Sequence, residues 1–535
     1  MAAERPAKSG AVVRRTLGVM IIRGFDTVLS FAVAVLLAGR FGASAQLDAF
    51  FAARRATMGP TELLKQVITQ IAMPNFTRAV DSGGEVRLAN LPTNAKVTFG
   101  ALIVVPMLLM FAPGPVLRVL MPGFAEERLA IASQTLTIML PLIPIAVLSG
   151  LMLTILQARG VFMVGEATRM IQRLVLVLVL LTIPALTVVA ISWVVLGAAL
   201  ASLALLFFVY WRWGRNARAT SVATPEGEGR KQAEPPRKLP KGRVAAAMLM
   251  LLYFQASVMI DFAFVSTLAT GSLSALEYGT RIVSLAPGLV MVSIGTVLYP
   301  NIVRLTDRAD RTQVGNGVRM MVRASFFVQM PVSIGLFLVA PQIVALLFGQ
   351  GGFDAEAQAE TVLMVQYFAI ASMFLTPNHV LMDSIYSDGK ASPLRPVAIY
   401  AGFALAIRVA LMFVMVPRFG LHGLGMAVVL SAMVNLSMAM TRYKSTNRDF
   451  KLKAMILDMI AIILVGITAA GLAWTLVLPQ AAPGIVSLIV RGMALPAIAF
   501  GAAYILLAGL LRQPDLVGLI SRMPMPFRRQ PTAAE

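Results

Sequence analysis

What most constrains this chain is a succession of apolar runs, each about the length a helix needs to cross a bilayer, separated by polar breaks. A hydrocarbon core of about 30 Å takes around twenty residues of helix. No water is present there to satisfy a backbone N–H or C=O, so each run must close its own hydrogen bonds as a helix. Fourteen such runs can be marked, at residues 17–37, 49–73, 97–111, 136–156, 174–186, 188–211, 244–269, 282–302, 324–348, 362–384, 398–416, 424–440, 455–478 and 485–511. With 58% hydrophobic and 13% charged residues and a mean hydropathy of +0.80, most of the surface must face lipid. The chain therefore reads as an all-α polytopic membrane protein. Its basic start, with Arg5, Lys8, Arg14 and Arg15, leads into an apolar stretch too long for a signal peptide and lacking a small-residue cleavage site, so this stretch reads as the first span.

The 46 Lys and Arg residues against 25 acids would suggest nucleic acid in a soluble protein, but here they sit between the apolar runs, as the positive-inside pattern requires. No nucleic-acid partner is implied. With the amino terminus inside, the cytoplasmic loops receive Arg78, Arg159, Arg304, Lys390, Arg442 and Lys451, and the outer loops little beyond Arg40, Arg118, Arg128 and Arg418. An even number of spans returns the carboxyl terminus to the cytoplasm.

Short signatures recur at an offset near 228 residues: Pro74-Asn75 and Arg78 with Pro300-Asn301 and Arg304, Gly123-Phe124 with Gly352-Phe353, Gly42 and Asp48 with Gly271 and Glu277, and Gly160 with Gly389. Each repeat holds six spans, so both enter the membrane in the same direction and form two lobes related by an axis along the membrane normal. The expected organisation is a first lobe at 1–211, a basic, Pro-rich cytoplasmic linker at 212–243, a second lobe at 244–444, and two extra helices with a tail at 445–535.

Several classes of chemistry lack their residues. There is no cysteine, and two histidines are too few for a zinc site. No phosphate-binding loop for ATP occurs, nor a nucleophile with its base, nor an acidic metal-binding loop, so no enzyme is expected and transport would draw on a gradient or the membrane potential.

Ionisable residues at membrane depth are costly and mark cavities or partnered sites. Arg23 and Asp26 stand three apart, close enough to pair on one helix face. On the second run Arg55, Glu62, Lys65 and Thr69 recur at helical spacing beside Arg54, giving a helix that lines a wet cavity. Glu277 and Arg281 are four apart and can also pair. Asp261 has no basic residue within a turn, so it is protonated, paired with another helix or bound to a cation, which makes it the ion-coupling candidate. Asp383, Arg408, Asp458 and Arg491 read as packing pairs or snorkelling ends.

Three segments carry a resemblance to the MurJ/MviN lipid II flippases of the multidrug/oligosaccharidyl-lipid/polysaccharide exporter superfamily: Phe41-Gly-Ala-Ser-Ala-Gln-Leu-Asp48-Ala-Phe-Phe51; Gly271 to Arg281 running on to Gly295-Thr-Val-Leu-Tyr-Pro300; and Tyr386 to Pro393. The resemblance implies fourteen helices in two six-helix lobes around a cationic cavity, with two further helices forming a groove for a lipid tail. It ties Asp48 and Arg281 to activity, gives Arg281 the substrate phosphate, and sets Lys65 where the family carries an arginine. The family's first-helix arginines would fall near Thr27 and Val33, where this chain has Arg23 instead. The implied acid at Asp261 matches a sodium-binding position whose eleventh-helix partners are missing, Arg408 being the charge there.

The expected function is alternating access. Arg23, Arg55, Lys65 and Arg281 would draw the pyrophosphate of a polyprenyl-linked saccharide, foremost lipid II, into an inward-open cavity, while Asp26, Asp48, Glu62 and Glu277 would serve structure or gating. Membrane lipid and the cell-wall or polysaccharide synthesis machinery are the implied partners, the bacterial cytoplasmic membrane is the location, and a sodium ion is the one cofactor left open. Three other readings remain: a flippase for an exopolysaccharide or O-antigen precursor, a cation-coupled multidrug exporter, and a scaffold acting through the basic linker.

Overall fold

A computed structural model describes residues 7–81, 93–159, 161, 163–214, 241–284, 311–349, 351–387, 394–447, 450–476 and 487–511. The described chain is helical, and no strand occurs among these residues. The first half holds α1 (Ala7–Phe41), α2 (Ala45–Asp81), α3 (Thr93–Leu109), α4 (Pro113–Leu120), α5 (Glu126–Met139), α6 (Leu142–Ala158), α7 (Met163–Thr182) and α8 (Val188–Val209). The second holds α9 (Lys241–Val265), α10 (Ser272–Val283), α11 (Arg311–Phe348), α12 (Ala355–Ser387), α13 (Leu394–Thr446), α14 (Leu452–Leu476) and α15 (Leu495–Leu510).

Nine helices among the described residues are long and apolar enough to cross a membrane, or ten if the bent pair α3 and α4 forms one span. The differences from the expected runs have physical reasons. The second and fifth runs fall on α2 and α7, whose charges keep them out of that set. The run at 282–302 extends beyond the described residues, as do most of the linker at 212–243, the Pro300 to Arg304 motif, Gly160, Gly389, Arg5 and the basic residues of the carboxyl-terminal tail. The runs at 398–416 and 424–440, expected as separate helices, are joined in α13, which would be about 80 Å long if straight. Gly420, at φ 54° and ψ −130°, breaks it between them, and a Cβ at Gly423 would lie 2.1 Å from the Met415 carbonyl oxygen.

The chain forms two compact units. One comprises Met1–Tyr278, Leu347–Thr361 and Ser392–Leu424; the other comprises Gly279–Leu346, Val362–Ala391 and Gly425–Glu535.

In the first unit α2 buries Leu47, Phe50, Phe51, Ile68 and Phe76 and packs on α5 and α6, while α1 packs on α7. Phe51 meets the Tyr278 ring edge-on at 5.4 Å, and Tyr278 meets Phe348 at 4.7 Å. Backbone meets backbone at two places. Gly352 N–H donates to the Gly39 carbonyl at 2.9 Å, and a Cβ on Gly42 would stand 2.2 Å from the Gly352 oxygen. Gly123 N–H donates to Ser266 Oγ at 3.1 Å, with room for no side chain against Thr267. Gly123 and Gly352 stand at the offset of the sequence signatures, and Gly123 reaches the end of α9 as Gly352 reaches the end of α1.

In the second unit polar side chains tie α11 to its neighbours. Gln329 Nε2 donates to Ser333 Oγ and Ser372 Oγ at 3.2 and 3.1 Å, and Thr376 Oγ1 donates to Gln329 Oε1 at 3.2 Å. All four side chains are buried. Tyr504 on α15 donates to the Phe327 carbonyl at 3.0 Å, and Asp458 on α14 pairs with Arg319 at 2.6 Å and Arg323 at 3.6 Å. Leu457, Leu464, Ile498 and Leu506 on α14 and α15 are exposed, as lipid-facing residues must be.

Gly42 sits at φ +61° with no space for a Cβ. Gly42→Ala should therefore destabilise the purified protein by about 1–3 kcal/mol, read as a lower melting temperature in detergent. Gly24→Ala, on an open stretch of α1, is the control and should leave it unchanged or raised.

Candidate functional site

A helix begins with backbone N–H groups that have no partner within it. At the start of α10 that partner is Asp48, a buried carboxylate from the first turn of α2. Its Oδ2 accepts from Gly271 N–H at 2.7 Å, and its Oδ1 accepts from the Ser274 N–H at 2.9 Å and the Ser274 hydroxyl at 2.7 Å. The negative charge also lies where the helix dipole favours it. Asp48 thereby fixes the position of α10, the helix that carries Glu277 and Arg281.

Glu277 answers in the opposite direction. Its carboxylate lies 3.6 Å from Arg54 Nη1 and 3.8 Å from Arg55 Nη2 on α2, and the Arg55 guanidinium stands 4.8 Å over the Phe262 ring. The packing of α10 thus turns Glu277 toward α2, giving it partners across helices that its spacing from Arg281 did not announce. Arg281 follows by one turn on α10 and is half-buried. Lys65 Nζ bonds Glu62 Oε1 at 3.0 Å along α2, the neighbours that the spacing suggested.

Arg23 and Asp26 find their partners on α7 and not in each other. Arg23 donates through Nε and Nη2 to Glu166 Oε1 at 3.1 and 3.0 Å, and Asp26 pairs with Arg173 Nη1 at 2.8 Å. Arg169 completes the group by pairing with Glu166. Three apart on one turn, Arg23 and Asp26 both face α7, whose own charges reach them first. Sequence reasoning missed Glu166, Arg169 and Arg173, although their spacing of three and four residues puts them on one face of α7.

Asp261 stands elsewhere in the first unit. Its carboxylate receives Arg408 Nε at 2.8 Å and Nη2 at 2.7 Å, a two-bond fork with both residues buried. Of the three states open to Asp261, pairing with another helix is the one observed. No group of three or more His, Asp or Glu able to hold a metal occurs among the described residues.

The arrangement can bind and orient an anion. Arg54, Arg55 and Lys65 supply positive charge on α2, Glu277 and Glu62 stand beside them, and the guanidiniums offer the paired donors that suit phosphate oxygens.

Breaking a buried ion pair on one side leaves an uncompensated charge, at a cost of about 3–5 kcal/mol. Asp261→Asn and Arg408→Met alone should each lower the melting temperature markedly, whereas Asp261→Leu with Arg408→Met should recover most of the loss. A double variant no more stable than the singles would show that the pair is not what holds α9 to α13.

The family model described as lipid II flippase MurJ matches residues 37–494. A probable lipid II flippase MurJ of Bdellovibrio bacteriovorus is 26% identical over 259 residues, 47% of this chain and 48% of that protein, so the match spans about half its length. Another, of Rhizobium meliloti, is 26% identical over 409 residues, covering 71% of this chain and 74% of the relative. Among solved structures, a lipid II flippase MurJ in an inward closed conformation superposes with a TM-score of 0.71 at 15% identity, covering 93% of this chain and 99% of that one. An inward-facing multidrug resistance MATE family transporter gives 0.59 at 14% identity, over 80% and 96%. These last two are likenesses of fold.

Proposed function

The chain belongs to the MurJ lipid II flippase family, and from that premise we propose that it carries lipid II from the inner to the outer leaflet of the bacterial cytoplasmic membrane by alternating access. The observation that carries this reading is the family match across residues 37–494. In it Arg281, with Arg55 and Lys65, receives the pyrophosphate while the polyprenyl tail stays in lipid. Asp48 and Glu277 hold the start of α10 against α2. No bond is made or broken in this reading, so no catalytic group is needed.

The finer organisation belongs to the same proposal. It has fourteen spans, lobes at 1–211 and 244–444, a linker at 212–243, two extra helices at 445–535, and both termini in the cytoplasm. The cell-wall synthesis machinery that consumes lipid II outside is its natural partner. The fork from Arg408 supplies Asp261 with a built-in counter-charge, so a coupling role for Asp261 would require that pair to open. Transport independent of sodium is the result this favours.

Depletion of the protein in its host should reduce the lipid II accessible at the outer leaflet while the total pool accumulates. Re-expressed Arg281→Ala should reach the membrane at the normal level and restore none of it; wild-type flipping by that variant would sink the role given to Arg281. A second reading, a flippase for another lipid-linked saccharide, draws on Thr27 and Val33 standing where the resemblance puts cavity arginines. Unchanged lipid II with a missing surface polysaccharide on depletion would decide for it.

A further inference from the structure

We propose that Tyr504 on α15 is the pin of a proline hinge in α11, so that the bend of α11 is controlled by α14 and α15. Pro331 and Pro341 both lie inside α11. A proline has no N–H to give the carbonyl four residues before it, and its ring presses on that carbonyl, so a helix hinges there. For Pro331 that carbonyl belongs to Phe327. The hydroxyl of Tyr504 donates to the Phe327 carbonyl at 3.0 Å, and the two rings lie with their centroids 5.3 Å apart. Both residues are buried, so the bond is made away from water, where a bare carbonyl is costly. A buried tyrosine also needs a partner for its hydroxyl. Here it takes the main-chain acceptor that Pro331 vacates.

The neighbours of Pro331 are gripped as well. Met330 is buried against Gly466 of α14, where a Cβ would stand 2.1 Å from the Met330 Cε and 3.1 Å from the Ile334 Cδ1. Gln329 and Ser333 bond Ser372 and Thr376 of α12. These are contacts of side chains, whereas the Tyr504 bond is made to the α11 main chain at the group the hinge frees. The first half of the chain offers a comparison. Pro113 stands at the sequence offset of Pro341, and there the chain is broken into α3 and α4, bent by 98°. By contrast α11 runs from Arg311 to Phe348 as one helix across both its prolines. The compact unit that holds α14 and α15 contains most of α11 and neither α3 nor α4. Seating the phenol holds α11 as it stands and releasing it frees the hinge, which makes the appended pair a control on the helix beside it.

The chain has no cysteine of its own, so Met320→Cys with Phe337→Cys places two spin labels at exposed positions on either side of Pro331. Along a straight helix they lie about 25 Å apart. Their separation is read by double electron–electron resonance in the full-length protein in nanodiscs, alone and with Tyr504→Phe, Pro331→Ala or both. Tyr504→Phe removes a single oxygen and should broaden the distance distribution and lower the melting temperature. Pro331→Ala restores an N–H that bonds the Phe327 carbonyl, so adding Tyr504→Phe in that background should change both readouts far less. That dependence on the proline separates a hinge pin from an ordinary bond between helices. A distribution untouched by Tyr504→Phe, or a change of the same size in the Pro331→Ala background, overturns the proposal. No cargo enters the measurement, so its outcome is separate from that of the flippase reading.

Discussion

Within a bilayer a charge without a partner is among the most expensive things a chain can carry, and the helices of this protein are arranged around how its charges are partnered. Asp48 reaches from α2 to the bare start of α10, and Glu277 reaches from α10 back to the arginines of α2. Each carboxylate solves a problem that the other helix poses. An isolated α2 would leave Arg54 and Arg55 without an acid at that depth, and an isolated α10 would expose its first N–H groups to a medium unable to bond them. The two helices are stable at membrane depth as a pair, and the surface that carries the cations follows from that pairing.

The fold was largely legible in the sequence because apolar length is a one-dimensional signal. α8, α9, α11, α14 and α15 fall where the hydropathic runs put them. What escaped was partnership, which is three-dimensional. Arg23 stands within bonding reach of Asp26 by spacing alone, yet each found a stronger partner on α7, 143 and 147 residues away in sequence. Asp261 and Arg408 were both visible as charges inside apolar runs, but only packing could say that they meet. Helical spacing settles which residues share a face; it does not settle what that face meets.

The offset signatures read from the sequence are of a different kind. Several of them are glycines, fixed by backbone geometry and not by interchangeable packing. Gly123 and Gly352 keep their spacing because each lies against main chain from the opposite repeat. Of the helices at that offset, α9 and α13 are joined by a single ion pair, and α1 and α7 by a larger charged cluster.

Joints of main chain on main chain also bear on how the sequence can drift. Only glycine fits at Gly42, Gly123 and Gly351, so those positions are closed to change whatever surrounds them. Lipid accepts nearly any apolar side chain in place of another. A chain built this way can keep a handful of immovable points and exchange most of what lies between them, and identity to its relatives in the mid-twenties per cent is then compatible with an undisturbed helix arrangement. Random mutagenesis would find tolerance over the long apolar faces and abrupt failure at single atoms.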